Sequence, residues 1–213
     1  MMPTIIWDWN GTLLNDLGLC IDSINALLKK RSLKLLDHAS YKEVFSFPVK
    51  NYYEIIGFDF SKEDFEIPAK EFIDLYDSSV KNCTLHFSAV EILEFFRQKQ
   101  YPQFVLSAMK QPMLEKTLKH NGIFHFFEGV AGLNDHYAVS KVERGKELLN
   151  EFNIDVQNTW MIGDTDHDFE VARELGIRCI LVADGHQSEE RLKETGAEVV
   201  SSLSELKEKF AEF

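Results

Sequence analysis

The sequence predicts an α/β protein in which a doubly wound parallel sheet is interrupted by an inserted, all-helical segment. Three observations indicate this fold. Short apolar runs, rich in β-branched and aromatic residues, end at polar or turn residues. From about residue 87 onward these runs alternate with segments of helical periodicity. Between residues 15 and 82 the alternation stops, and helical segments follow one another.

The apolar runs predict six strands. Continuous apolar character, rather than a polar residue at every second position, is typical of strands covered on both faces. Their alternation with helices implies right-handed crossovers and a parallel sheet with helices on both sides. The predicted strands span residues 4–9, 103–108, 128–133, 159–164, 177–183 and 197–200.

The segments between the later strands predict amphipathic helices, because their apolar residues recur at spacings of three and four. Gly176 closes the helix that precedes the fifth strand, as a glycine just beyond a helix C-terminus commonly does. The expected apolar stripes are Val90, Leu93 and Phe95 or Phe96 in one helix, and Val142, Leu148, Leu149 and Phe152 in a later one.

The helical segment divides the chain into two parts. Residues 1–14 and 83–213 are predicted to form the α/β core, and residues 15–82 a helical cap. The cap is rich in aromatic residues, which are expected to fill its own core. A sharper hypothesis places a few of these rings, among them Phe45 and Phe47 beside Pro48, against an active site.

Composition narrows the range of functions. The formal net charge is −12 and the pI about 5.0, which argues against nucleic acid and anionic membranes as partners. Three widely spaced cysteines suggest neither a zinc site nor a disulfide framework. No signal peptide and no membrane-spanning run is apparent, so a cytoplasmic enzyme is expected.

Chemistry-bearing residues follow several of the predicted strands. Ligands bind at the carboxyl ends of strands in an open parallel sheet. Acidic side chains that meet at this edge need a nearby cation in order to stay ionised side by side. Because the set offers hard oxygen ligands and no His or Cys, it indicates Mg²⁺. An aspartate beside Mg²⁺ can attack phosphorus and form an aspartyl-phosphate. The first predicted strand delivers Asp8 and Asn10, and the second delivers Ser107. Lys141 begins the helix before the fourth strand, which delivers Asp164 and, past the turn, Asp168.

In these residues the chain resembles the haloacid dehalogenase superfamily of phosphohydrolases, and in particular its phosphoglycolate-phosphatase-like members with a small helical cap. The matching features are "DWNGTL" for the first motif, Ser107 for the second, Lys141 for the third and "GDTDHD" for the acidic fourth. Their order, their placement at strand ends and the position of the helical insert all match the family.

The resemblance implies a role for each residue. Asp8 would be the nucleophile and a Mg²⁺ ligand, and Asn10 would give its backbone carbonyl to the metal. Thr12 would orient Asp8 and its loop in the phosphate site. Lys141, with Lys146 as the alternative, would neutralise Asp8 and the phosphoryl group. The remaining roles are phosphate binding by Ser107 and the amide of Ala108, and metal binding by Asp164 and Asp168.

Asn10 departs from the family pattern, in which a second aspartate acts as general acid and base. An amide can do neither, and general acid–base help is typically worth about 10²–10⁴-fold in rate. A phosphatase without this acid is one interpretation, with Asp16 or a substrate group as the proton donor. A sugar-phosphate mutase, which needs the second acid, and a metal-free dehalogenase are both disfavoured.

Three other interpretations of Asn10 stay open. A carbon–phosphorus hydrolase would also lack the acid, and would need a Schiff-base lysine such as Lys50 or Lys42 in the cap. A binding or regulatory module could keep the phosphate site without catalysis. The asparagine could also replace a native aspartate. The favoured substrate is a small phosphorylated metabolite; the sequence names neither the ester nor the oligomeric state.

Five histidines lack metal-ligand spacing, and solvated or structural roles are expected for them. They are His86, His120, His125, His136 and His167.

Overall fold

The computed structural model describes residues 2–133 and 140–211, and His136 lies outside them. The chain folds as a parallel sheet flanked by helices, with a helical segment inserted after the first strand. The strands are β1 (Thr4–Trp7), β2 (Leu14–Asn15), β3 (Thr84–Leu85), β4 (Gln103–Lys110), β5 (Gly129–Leu133), β6 (Thr159–Gly163), β7 (Arg178–Val182) and β8 (Glu198–Val200).

Ten α-helices lie in the described residues, together with short 3₁₀ turns. They are α1 (Leu17–Lys30), α2 (His38–Val44), α3 (Val49–Ile55), α4 (Glu66–Ser79), α5 (Ala89–Gln98), α6 (Gln111–His120), α7 (Lys141–Glu151), α8 (Asp166–Leu175), α9 (Glu189–Glu194) and α10 (Leu206–Lys209).

The main sheet has six strands in the order β5-β4-β1-β6-β7-β8, and every neighbouring pair is parallel. The strand order reverses at β1, between β4 on one side and β6 on the other. A crevice opens at such a switch point, on the carboxyl edge of the strands. The predicted doubly wound α/β fold is confirmed.

Both faces of the sheet are buried, which explains the continuous apolar runs. Successive side chains of a strand point to opposite faces. In β1, Ile5 and Trp7 therefore pack on one side with Leu93 of α5, while Ile6 packs on the other with Leu148 of α7. All five side chains are at most 3% exposed.

The inserted segment contains α1 to α4. Helices α1 and α4 pack together, and Arg31 at the end of α1 binds Glu63 at 2.7 Å and Glu71 at 2.9 Å. Where the chain leaves and re-enters the sheet, β2 and β3 form a short antiparallel pair. Sequence patterns did not predict this pair, because two residues are too few to show an alternation.

Several predicted details differ from the structure. The first strand stops at Trp7 rather than residue 9, and β4 runs on to Lys110. Val90 is 50% exposed, because the buried stripe of α5 is shifted by one residue and contains Ala89, Ile92, Leu93 and Phe96. Within residues 2–133 and 140–211, no helix is both long and apolar enough to cross a lipid bilayer.

Candidate active site

Two neighbouring strands bring the first pair of acids together at the switch point. Asp8 follows the last residue of β1, and Asp164 follows the last residue of β6. The strands are in register, with Trp7 beside Ile162, and the Asp8 amide donates to the Ile162 carbonyl at 2.8 Å. Both carboxylates are buried.

Lys141 joins two of the acids. It is the first residue of α7, whose N-terminus is capped by the Ser140 hydroxyl accepting from the Glu143 amide at 3.2 Å. Its ammonium contacts the Asp8 carboxylate and lies 2.6 Å from Asp168 Oδ1. Lys146 is half exposed and pairs with Glu143. Lys141 is therefore the lysine that reaches this cluster.

Asp164 is held by two donors from different parts of the core. Thr12 Oγ1 donates to Asp164 Oδ1 at 2.9 Å, and the His186 amide donates to Oδ2 at 2.7 Å. The Thr12 hydroxyl thus binds the acid of the neighbouring strand, and a role of Thr12 in orienting Asp8 stays a prediction. Gly11 and Gly185 make room for this acid, because a Cβ at either position would overlap its carboxylate.

Asp168 has a structural contact as well as its contact with Lys141. Its Oδ2 accepts from Thr165 Oγ1 at 2.7 Å and from the Thr165 amide at 3.0 Å, which completes a capping box at the start of α8. Both carboxylate oxygens therefore have protein partners. This arrangement leaves Asp168 less free than Asp8 to bind a ligand directly.

The acids have perturbed pKa values. Burial raises the pKa of Asp8 well above its ordinary value, against the opposing effect of Lys141. Burial also raises the pKa of Asp164, to about 6. Burial would raise that of Asp168 too, but Lys141 outweighs it and the pKa is lowered. One ammonium does not compensate three buried carboxylates, so the cluster is short of positive charge.

The acid cluster fits a hard divalent cation. Oxygen atoms of Asp8, Asp164 and Asp168 lie within 4.8 Å of one another. The set is made of carboxylates, which suit Mg²⁺, Ca²⁺ or Mn²⁺ better than softer metals. The missing positive charge and the oxygen-only donors both favour such an ion at this position.

The second predicted motif lies beside the first. Ser107 in β4 is buried, and its Oγ accepts from the Met109 amide at 3.0 Å and lies 3.5 Å from Asn10 Oδ1. Ala108 is exposed and lines the cavity in front of the acids. The structure thus brings the residues predicted from four separate segments to one edge of the sheet.

Asn10 belongs to a polar network that the sequence did not reveal. Its Nδ2 donates to Asp16 Oδ2 at 2.8 Å and to the Tyr76 hydroxyl at 2.6 Å. Asp16 Oδ1 also binds His186 Nε2 at 3.1 Å, and His186 Nδ1 lies 3.2 Å from the Tyr41 hydroxyl. His186 lies in the loop after β7. The expectation that functional residues follow the carboxyl ends of strands, which identified Asp164, could also have identified His186.

The network argues against Asp16 as the missing general acid. Burial would raise its pKa, but His186, Tyr76 and Asn10 outweigh burial and hold the pKa below the ordinary value. Burial would lower the pKa of His186, but Asp16 raises it to about 9. At neutral pH Asp16 is therefore a carboxylate paired with an imidazolium, and it has no proton to give.

A cavity of about 720 Å³ joins the acid cluster to the inserted helices. Its polar lining includes Asp8, Lys141 and Asp164 of the core, and charged side chains of α4 such as Glu66 and Lys70. Aromatic rings from the inserted segment line much of the rest: Tyr41, Phe45, Phe47, Tyr52, Tyr53, Phe65, Phe72 and Tyr76. The hypothesis that Phe45 and Phe47 face the site agrees with this geometry.

The lysines considered for Schiff-base chemistry lie elsewhere. Lys42 Nζ donates to the Ala183 carbonyl at 3.3 Å, and Lys50 Nζ lies 5.7 Å from the centre of the Phe60 ring. Both belong to the described part of the chain, and neither is among the residues that line the cavity. Their positions therefore give no support to a Schiff base formed by Lys42 or Lys50.

The doubly wound parallel sheet, with an acid cluster and a buried lysine at its switch point, places the chain among phosphohydrolases with an α/β core. The family model for haloacid dehalogenase-like hydrolases matches residues 5–182. The chain belongs to this family, and the predicted membership is confirmed.

Individual relatives agree with this assignment. "Probable phosphatase IndB" of Dickeya dadantii is 23% identical over 206 residues, covering 94% of this chain and 89% of the relative. A 5'-nucleotidase of Pseudomonas aeruginosa is 24% identical over 198 residues, covering 90% and 87%. The crystal structure of a predicted phosphatase from Clostridium acetobutylicum has a TM-score of 0.85 at 21% identity, covering 100% of both chains, and shows the shared fold.

Proposed function

We propose that this chain hydrolyses a small phosphomonoester through a phosphoryl group carried on Asp8. The observation that carries the proposal is the buried contact of Lys141 with Asp8 and Asp168, beside Asp164, at the switch point of the sheet. The ammonium fixes the nucleophile and faces the place where charge shifts during phosphoryl transfer. Positioning and fixed positive charge are what this chemistry needs from a protein.

Asp8, the backbone carbonyl of Asn10 and Asp164 would hold Mg²⁺, with Asp168 supporting it through water. The three buried carboxylates support this set, because a divalent cation would balance the negative charge that the Lys141 ammonium leaves uncompensated. Mg²⁺, when bound, supplies charge that neutralises the phosphoryl oxygens. The chain's own contribution is to aim Asp8 through Lys141 and to hold Asp164 through Thr12 and the His186 amide.

The reaction has two displacements. The Asp8 carboxylate attacks phosphorus, the bond to the ester oxygen breaks, and the departing alkoxide takes a proton from water. Water then attacks the aspartyl-phosphate, and the bond between phosphorus and the Asp8 oxygen breaks. Ser107 and the Ala108 amide would bind the phosphoryl oxygens meanwhile. Because Asn10 cannot protonate the leaving oxygen, esters of acidic alcohols such as phenols should react fastest.

The cavity supports a planar, apolar leaving group. The rings of Phe45 and Phe47 stand 5.5 Å apart at the wall of the cavity, and Phe47 stacks on His167 at 4.6 Å. Aromatic walls recognise flat, apolar bodies by burial and ring contact. We propose an aryl or heteroaryl phosphate as the substrate class, and residues 15–82 as a cap that covers it.

A binding module without catalysis is the second candidate. The loss of the general acid favours it, because the position at which the family keeps an aspartate holds an amide. The burial of Asp8 against Lys141 disfavours it, because two buried ionisable groups are costly to keep without a use. Hydrolysis is therefore the better supported function.

The test is phosphate release from p-nitrophenyl phosphate, compared with an alkyl phosphate of similar size. We expect turnover that requires Mg²⁺, falls with Ca²⁺, and is faster for the aryl ester. Asp8→Ala should abolish turnover while the far-UV circular dichroism stays unchanged. Full activity of Asp8→Ala would refute the proposal, and tight Mg²⁺-dependent phosphate binding without turnover would favour the binding module.

A further inference from the structure

Asp16 is buried at the centre of a hydrogen-bond network next to the nucleophile loop. Its Oδ1 accepts from the Gly11 amide at 2.9 Å and lies 3.1 Å from His186 Nε2. Its Oδ2 accepts from Asn10 Nδ2 at 2.8 Å and from the Tyr76 hydroxyl at 2.6 Å. Asp16 is 1% exposed, so protein donors take the place of its water shell.

These contacts fix which way the Asn10 amide faces. Both Asp16 oxygens act as acceptors in these contacts, and the Asn10 atom nearest Asp16 is the NH₂ group, at 2.8 Å from Oδ2. The second N–H of that group is taken by the Tyr76 hydroxyl at 2.6 Å. The carbonyl oxygen is therefore turned the other way, and it lies 3.5 Å from Ser107 Oγ.

The network suits an amide at position 10 and not a second acid. An aspartate there would place a carboxylate oxygen within about 3 Å of Asp16 Oδ2, and two carboxylates at that distance cannot both stay ionised. The network also spans both parts of the chain, because Tyr76 comes from α4 while Asn10 and Asp16 flank the start of the insert.

We propose that Asp16 and Tyr76 are positioning residues that hold the Asn10 oxygen toward the phosphoryl group, where it accepts a hydrogen bond from the attacking water. Asn10 thereby orients the water without taking its proton. In that step the water oxygen bonds to phosphorus, Asp8 leaves as a carboxylate, and both protons of the water stay on the released phosphate, which later loses one to solvent. Because this water belongs to the proposed hydrolysis, the assignment rests on that function.

The first test measures the pairing of positions 10 and 16 without any assay of activity. The variants are Asn10→Asp, Asp16→Asn and the exchange Asn10→Asp/Asp16→Asn, with the exposed Asp22→Asn on α1 as the matched control. At neutral pH we expect each single change in the network to lower the thermal midpoint by about 5–10 °C. The exchange variant should recover most of that loss. If its loss in thermal midpoint instead equals the sum of the losses of Asn10→Asp and Asp16→Asn, the proposed pairing is overturned.

The second test measures hydrolysis of p-nitrophenyl phosphate by the same proteins and by Tyr76→Phe. Asp16→Asn should lower kcat about 10- to 100-fold with little change in KM, Tyr76→Phe should lower it less, and the exchange should restore kcat. A kcat for Asp16→Asn equal to that of Asp22→Asn would overturn the positioning role. If the wild-type chain releases no phosphate while the midpoints still couple, the proposed function fails and the catalytic part of the assignment with it.

Discussion

Replacing Lys141 with methionine gives the sharpest test of the acid cluster by stability alone. The side chain is 4% exposed, and its ammonium contacts Asp8 and lies 2.6 Å from Asp168 Oδ1. Methionine keeps most of the volume and removes the charge. The change therefore leaves the buried carboxylates of Asp8 and Asp168 without their ammonium partner.

The size of the effect follows from the geometry. At 2.6 Å from Asp168 and an effective dielectric constant of about 20, one such contact is worth about 6 kcal/mol in Coulomb energy. Desolvation of the ammonium offsets several kcal/mol, and breaking a buried pair in other proteins costs about 3–5 kcal/mol. For a chain of this length that corresponds to a loss of about 10 °C in the thermal midpoint.

The assay is thermal unfolding at pH 7.5 in the absence of divalent metal, with Lys146→Met as the matched control. Lys146 lies on the same helix, is half exposed and pairs only with Glu143 among the contacts seen in the described chain. Its replacement should change the free energy of unfolding by less than about 0.5 kcal/mol. Equal midpoints for the two variants would refute the view that Lys141 neutralises a buried acid cluster.

Three further changes test other parts of the structure. Arg31→Ala should cost about 1–3 kcal/mol because it removes charged hydrogen bonds between α1 and Glu63. The pKa of Glu63 is lowered by this contact, so the cost measured in urea should be full above pH 5 and shrink as the pH falls below about 4. Gly11→Ala should abolish turnover, since φ is +77° and the added Cβ would overlap the Asp164 carboxylate; an active variant would show that the loop can shift. Mg²⁺ at 100 times its dissociation constant should stabilise the wild-type chain by about 2.7 kcal/mol in a thermal scan, and Asp164→Asn should lose this gain.

The sheet and the edge that carries the acid cluster could be predicted from the sequence because their signals are local. Continuous apolar runs mark strands buried on both faces, and Asp8 and Asp164 directly follow two of them. Lys141 could be placed because a helix begins there, just before β6. Each of these residues carries its own short-range pattern.

The network around Asn10 could not be predicted, because it depends on contacts between distant segments. Tyr76 lies 60 residues from its partner Asp16, and His186 lies 170 residues from it. Nothing in the aromatic pattern of α4 separates Tyr76 from rings that only fill the core. The sequence offers Asp16 as a proton donor because the burial of this residue and its hydrogen-bond donors are invisible in the sequence.

The exposure of Val90 has a similar origin. Either of two adjacent stripes on α5 is apolar enough to face the sheet, and packing against the sheet selects the one with Ile92 and Leu93. Helical periodicity alone leaves such a one-residue rotation open.

The most direct test of the central claim is to find where the phosphoryl group resides during turnover. The wild-type chain is mixed with p-nitrophenyl phosphate and Mg²⁺, quenched in acid within milliseconds, digested and analysed by mass spectrometry. We expect one added phosphoryl group on the peptide that contains Asp8, and none in Asp8→Asn. Steady turnover with no modified peptide, or with the phosphoryl group on another residue, would contradict the account.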